Sequence, residues 1–147
     1  MTSFLAKANP NKYDLDCFLD GSDKETLWTV CKDAKPDDVL YLAKCGKEAG
    51  IVAMARITEN PSPQKDDVSD PCWTAVGRAS PLARDVRLRA KIEILCKVNI
   101  PESELASYPI LDKKLTWLHG QGTCCHLREE EEDTIQALIR EWGYKKK

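Results

Sequence analysis

The residue types that could do chemistry here are aromatic, thiol and imidazole. The chain has four tryptophans against two phenylalanines, seven cysteines and two histidines. Indole is the best flat platform for stacking a base or seating a cation, so the tryptophans come first. Trp142 lies on an apolar helical stripe and reads as core, and Trp73, beside Pro71, leans the same way. Trp28, at a strand start, and Trp117, before a glycine-bearing turn, are open to either role. The stretch Leu118-His119-Gly120-Gln121-Gly122-Thr123 places an amide between two glycines. Backbone can then approach a ligand closely while the amide offers both donor and acceptor. A tight turn into a strand is its plainer reading.

The seven cysteines, Cys17, Cys31, Cys45, Cys72, Cys96, Cys124 and Cys125, are an odd number and contain no C-x-x-C pair. Reduced thiols acting as small buried hydrophobes are therefore expected, rather than a disulfide framework. His119, Cys124, Cys125 and His126 come nearest to a metal cluster. Adjacent strand residues point to opposite faces, so Cys124 and Cys125 are poorly placed to share one ion, and no metal or other cofactor is expected. G-x-S-x-G, H-E-x-x-H and G-x-x-x-x-G-K-[ST] are all absent, which leaves hydrolase and nucleotide-loop chemistry without a signature. A Cys/His nucleophile pair is available only in the combinatorial sense.

The 147 residues are 42% apolar and 31% charged, with a net charge of −2, so one globular domain spanning 1–147 is expected. Bulk attraction to nucleic acid is excluded by that balance. Locally the picture differs: residues 78–97 hold Arg78, Arg84, Arg87, Arg89, Lys91 and Lys97 against Asp85 and Glu93, while five consecutive acids occupy 129–133. Apolar runs such as Ile51–Ala55 are far shorter than the roughly 20 residues a membrane helix needs. No basic start followed by an apolar stretch opens the sequence. A soluble, cytoplasmic protein (nuclear in a eukaryote) without membrane contact is the expectation.

Strand patterns must position these residues. Leu27–Cys31, Val39–Ala43, Ile51–Thr58, a short Cys72–Val76 and Thr123–Leu127 read as strands, and Val86–Ile94 alternates most cleanly. In that last segment Arg87, Arg89 and Lys91 share the polar face. The prolines of 59–71 predict a solvated loop. Helices are expected over Asp14–Leu19, Pro101–Leu105 and, most clearly, Glu129–Trp142, where Ile135, Leu138, Ile139 and Trp142 recur at helical spacing. Many short strands with few helices predict an α+β, barrel-like domain.

Taken in order, these pieces resemble the EVE domain, a PUA-like module related to YTH domains. The resemblance rests on Phe4-Leu5-Ala6-Lys7-Ala8-Asn9-Pro10, Trp28, Pro36-Asp37-Asp38-Val39-Leu40-Tyr41-Leu42, Gly46, Gly50 to Ile57, and Gly120-Gln121-Gly122-Thr123 followed by an acidic closing helix. Pro36-Asp37 stands where the family usually has Gly-Asp, and Phe4 where it often has Trp. The resemblance implies a PUA-like β-barrel of about five to six mixed strands flanked by several short helices. It also implies a pocket for a flipped, modified base in DNA or RNA, with modified cytosine in DNA the leading candidate. By that resemblance Asn9, Trp28, Gly50, Ile51, Gln121, Gly122 and Thr123 form the base pocket. Lys44, Lys47, Arg87, Arg89 and Lys91 are the candidate phosphate contacts, because stacking and base extrusion nearly cancel at a few kcal/mol each.

The expected function is thus a non-catalytic reader of modified bases, partnered by nucleic acid and a candidate nuclease or other effector. Two alternatives remain open at this point. One is a small PUA-like amide hydrolase acting on modified nucleosides, with Lys44 and Cys45 as its groups. The other is a protein-interaction module.

Overall fold

The computed structural model describes residues 2–22, 24–66, 71–81, 85–120 and 122–146. Seven strands form one curled, mixed sheet: β1 Ser3–Ala8, β2 Glu25–Thr29, β3 Val39–Lys44, β4 Gly50–Ile57, β5 Ser62–Gln64, β6 Arg87–Pro101 and β7 Cys124–His126. Their order across the sheet is β2-β6-β4-β3-β1-β7, with β5 also paired to β6. Among the described residues only β1 and β3 run parallel, Phe4 opposite Leu40 and Ala6 opposite Leu42. β2 and β7 are the two ends of this path.

Both faces of the central strands are buried, which is why β3 and β4 read as nearly continuous apolar runs. Phe4, Ala6, Leu40, Leu42, Ala55 and Ile92 point into one core, beneath helix α1 (Leu15–Asp20) with its Leu15 and Phe18. Leu5, Tyr41, Ala43, Ile51, Val98 and Ile100 point into a second. Helices α3 (Glu102–Leu105), α4 (Asp112–Leu118) and α5 (Glu129–Lys146) cover that second face through Leu105, Leu118, Ile135 and Leu138. No helix among the described residues is long and apolar enough to cross a membrane.

Four elements differ from expectation. β6 continues past Ile94 to Pro101. Its partners step from Ala55↔Ile94 to Met54↔Cys96, so Leu95 is an extra, bulged residue. Such a bulge inverts the alternation: Ile92 faces the first core whereas Val98, of the same parity, faces the second. The segment expected as a strand at Cys72–Val76 makes one bridge, Tyr13↔Trp73, and then turns into helix α2 (Ala75–Ala79), capped by Thr74 Oγ1 accepting from Gly77 N at 3.0 Å. Ser62–Gln64 adds a short strand inside the expected loop. Helix α4, which had no sequence forecast, follows a 3-10 turn over Pro109–Leu111.

The acidic start of α5 is built in, not merely solvated. Glu131 is buried, and its Oε1 accepts from Arg128 N at 2.7 Å, the reciprocal half of a capping box. Lys114 Nζ lies 3.8 Å from the same oxygen. The next residue, Glu132, accepts from the fully buried Tyr41 hydroxyl at 2.9 Å, and Gln136 donates to that hydroxyl. Burial, then the Glu132 bond, pushes the Tyr41 pKa above the ordinary phenol range. Gly50 faces Pro101 in the β4–β6 ladder, and a Cβ there would sit 2.4 Å from the Ile100 carbonyl oxygen.

Two stability tests follow from this packing. Replacing Glu131 by Ala should cost about 0.5–2 kcal/mol, read as a lower urea midpoint at unchanged slope. Gly50→Ala should cost about 1–3 kcal/mol through overpacking against the Ile100 backbone. An unchanged midpoint for either variant would contradict the role given to that residue.

Candidate functional site

A cleft of about 1010 Å³ opens between the end strand β2, helix α1, the Asn9–Tyr13 turn and the Cys72–Trp73 segment. Small-molecule sites usually enclose roughly 300–1,000 Å³, so the space is ample for one heterocycle. Its walls are held by local backbone bonding. Asn9 O accepts from Lys12 N and Tyr13 N at 2.9 and 3.0 Å, while Asn9 Oδ1 accepts from Asn11 N at 3.0 Å. That Asx turn reverses the chain after β1. Asp14 N donates to Cys72 O and Thr74 N to Lys12 O, stitching the second wall to the turn. Gly77 is essential to this approach, since a Cβ there would lie 1.9 Å from Lys12 O.

Three aromatic rings meet inside. Tyr13 is buried and contacts Trp28 edge-on at 5.9 Å and Trp73 at 5.2 Å. Trp28 and Trp73 are half-buried: each packs on the first core and lines the cleft. Trp28 stands on β2 opposite Ala90 of β6. A disulfide joins Cys17 of α1 to Cys72, with Cα atoms 5.6 Å apart, and both cysteines line the cleft. This corrects the expectation of fully reduced thiols. The pair is separated by 55 residues, and only the docking of α1 against the Trp73 segment brings it together.

Of the residues expected in the base pocket, Asn9, Trp28 and Thr123 line the cleft. Gly50 and Ile51 do not: Ile51 is buried in the second core and Gly50 is spent on the close β4–β6 crossing. Their assignment to the pocket is corrected accordingly. Gly122, at φ +104°, packs on Trp117, where a Cβ would meet Nε1 at 2.9 Å. Gln121 lies outside the described residues. Trp117 instead serves Lys7, whose ammonium sits 4.5 Å from the ring centre and donates to the Trp117 and Gly120 carbonyls at 2.9 and 2.8 Å. A cation thus caps the C-terminal end of α4, and burial holds the Lys7 pKa below its ordinary value.

The expected phosphate contacts divide. Arg87 and Lys91 line the cleft, half-buried and exposed respectively. Arg89 also borders it but is only 2% exposed, and its Nη1 donates to the Gln64 and Asp85 carbonyls at 2.6 and 2.9 Å. Those bonds tie β5 to β6, so Arg89 is a structural cation, a correction to its assignment. Lys44 is likewise withdrawn. It is buried and pairs with Asp16 at 2.9 Å and Glu48 at 3.5 Å. Burial disfavours its charge, but the two carboxylates more than compensate and raise its pKa. Lys47 is exposed and borders a separate depression beside Lys97 and Glu102. Tyr13 and Trp73 are cleft residues that pattern reading did not select.

Cys124 and Cys125 go to opposite cores, as strand alternation requires. His119 and His126 pair with Glu102 and Asp33, each at 2.6 Å.

No family model matches this sequence, and no curated protein matches it. Solved structures do resemble it. The chain is similar to the human THYN1 protein in complex with 5-methylcytosine containing DNA, with TM-score 0.67 and 16% identity over 95% of this chain and 98% of that one. The DUF55 domain of human thymocyte nuclear protein 1 gives TM-score 0.67 at 15% identity, covering 94% and 98%. A hypothetical protein from Leishmania major gives TM-score 0.67 at 15% identity, covering 96% of each chain. At such low identity the likeness concerns the fold, and with the curled mixed sheet and short flanking helices it shows that the chain has the PUA-like fold.

Proposed function

We propose that the protein is a non-catalytic nucleic-acid-binding module of the EVE type, which takes a flipped modified base, modified cytosine in DNA first, into the aromatic cleft. The carrying observation is the meeting of Tyr13, Trp28 and Trp73 inside one open cleft whose rim carries Arg87 and Lys91. The likeness to the THYN1 protein, solved with 5-methylcytosine containing DNA, supports the choice of ligand.

The energetics fit a reader of this kind. Stacking on an aromatic side chain contributes about 1–3 kcal/mol. Extrusion from a duplex costs a few kcal/mol. Phosphate contacts must supply the net affinity, and the proposal gives that role to Lys91 and Arg87, which line the cleft. A buried methyl is worth only about 0.8 kcal/mol, so discrimination among bases must come from hydrogen bonds or clashes with the wrong base. Lys7 of β1, Asn9 just after it and Thr123 at the entry to β7 are polar residues on that wall of the cleft. The hydrolase alternative loses support because Lys44 is occupied by Asp16 and Glu48, and Cys45 Sγ donates to Ala8 O at 3.5 Å. Neither residue lines the cleft.

Fluorescence anisotropy with matched oligonucleotides, differing only in 5-methylation of one cytosine, tests the reading. The methylated strand should bind more tightly. Trp28→Ala should weaken that binding about 5–150-fold, the equivalent of one lost stacking contact. Equal affinity for both strands, no binding at all, or a folded Trp28→Ala variant with unchanged affinity would sink the proposal. Lys91→Ala and Arg87→Ala should each lower the salt slope of binding by roughly 1 while leaving the methyl preference intact.

A further inference from the structure

The two end strands of the sheet approach each other where they share no ladder, and a pair of thiols spans the gap. Cys31, just past β2, and Cys124, the first residue of β7, place their Sγ atoms 2.9 Å apart. Beside them His126 Nε2 and Asp33 Oδ2, from the same two segments, lie 2.6 Å apart. Both cysteines are partly exposed and pack on the edge of the first core. We propose that Cys31 and Cys124 form a thiol–disulfide exchange site, which reacts with a small-molecule disulfide such as oxidised glutathione and closes the seam with a reversible bond.

The step balances. The Cys31 thiolate attacks one sulfur of the small disulfide, whose S–S bond breaks and releases one thiolate. Cys124 gives up its proton to that leaving thiolate, attacks the Cys31 sulfur and expels the second. Two protein thiols are oxidised while one small disulfide is reduced to two thiols.

The surroundings set the order of attack. The hydrogen bond with Cys124 draws Cys31 below the ordinary thiol range; burial opposes this and the nearby His126 assists. Its counterpart is pushed up, first by the bond to Cys31 and then by burial. A more ionised thiol beside a protonated one favours entry at Cys31 and resolution by Cys124. The other free thiols lack such a partner geometry: Cys45 bonds to Ala8 O, and burial pushes Cys125 up to about 11. Cys17 and Cys72 are already bonded to each other.

The full chain, with its Cys17–Cys72 bond intact, would be treated with oxidised glutathione and digested without reduction for mass spectrometry. A cross-link between the Cys31 and Cys124 peptides is expected, with free thiols falling from five to three. Cys124→Ser should stop at glutathione on Cys31, and Cys31→Ser should leave Cys124 unmodified. Five surviving thiols, or a bond or adduct at Cys45, Cys96 or Cys125 instead, would overturn the proposal. The wild-type cross-link decides the matter even if a variant fails to fold.

Discussion

A sheet that curls yet does not pair its two ends governs this molecule. β2 and β7 terminate the strand order, so the curled sheet leaves a seam between them. Side chains bridge that seam where backbone does not: Cys31 with Cys124, and Asp33 with His126. The cleft opens alongside, walled by Trp28 on β2 and by Thr123 at the entry to β7. A fully closed barrel of this size fills its interior with its own side chains. The open seam is what leaves room for anything else.

The rest of the architecture serves to keep that opening in shape. Two-sided burial of β1, β3 and β4 makes the centre of the sheet the most heavily packed part of the protein. The bulges at Val52 and Leu95 let β4 and β6 pass from one core to the other as the sheet curls. Helices α3 to α5 then seal the outer face. The inner face is covered by α1 over part of its length, and the aromatic cluster of Tyr13, Trp28 and Trp73 takes over beyond it. Those rings both complete a core and border solvent, a dual position that suits amphipathic side chains.

Electrostatics follows the same division of labour. Cations that sequence pattern places on one polar strip have unlike fates once the chain folds. Arg89 is drawn inward to hold β5, whereas Lys91 remains in solvent two positions away. Lys44 neutralises Asp16 and Glu48 between α1 and the β3–β4 connection, and Lys7 closes the end of α4. The net charge of −2 thus says little about the cleft rim.

Local pattern by itself determined the strands β2 to β4, the start of β6, and the acidic amphipathic helix, because period and turn chemistry are properties of neighbouring residues. It also determined that Cys124 and Cys125 part company, and that Trp28 stands on a strand able to present it. Tertiary structure decided the remainder. The Leu95 bulge changes which core the later half of β6 serves, an effect no alternation can announce before β4 is in place. Helix α4 is stabilised by Leu118 in the second core and by the Lys7 cap, both supplied from distant strands. The Cys17–Cys72 bond, the burial of Arg89, the withdrawal of Gly50 and Ile51 from the cleft, and the Cys31–Cys124 contact all join segments far apart in the chain. Contacts of that kind depend on how the sheet curls, and curl is a property of the whole sheet rather than of any one strand.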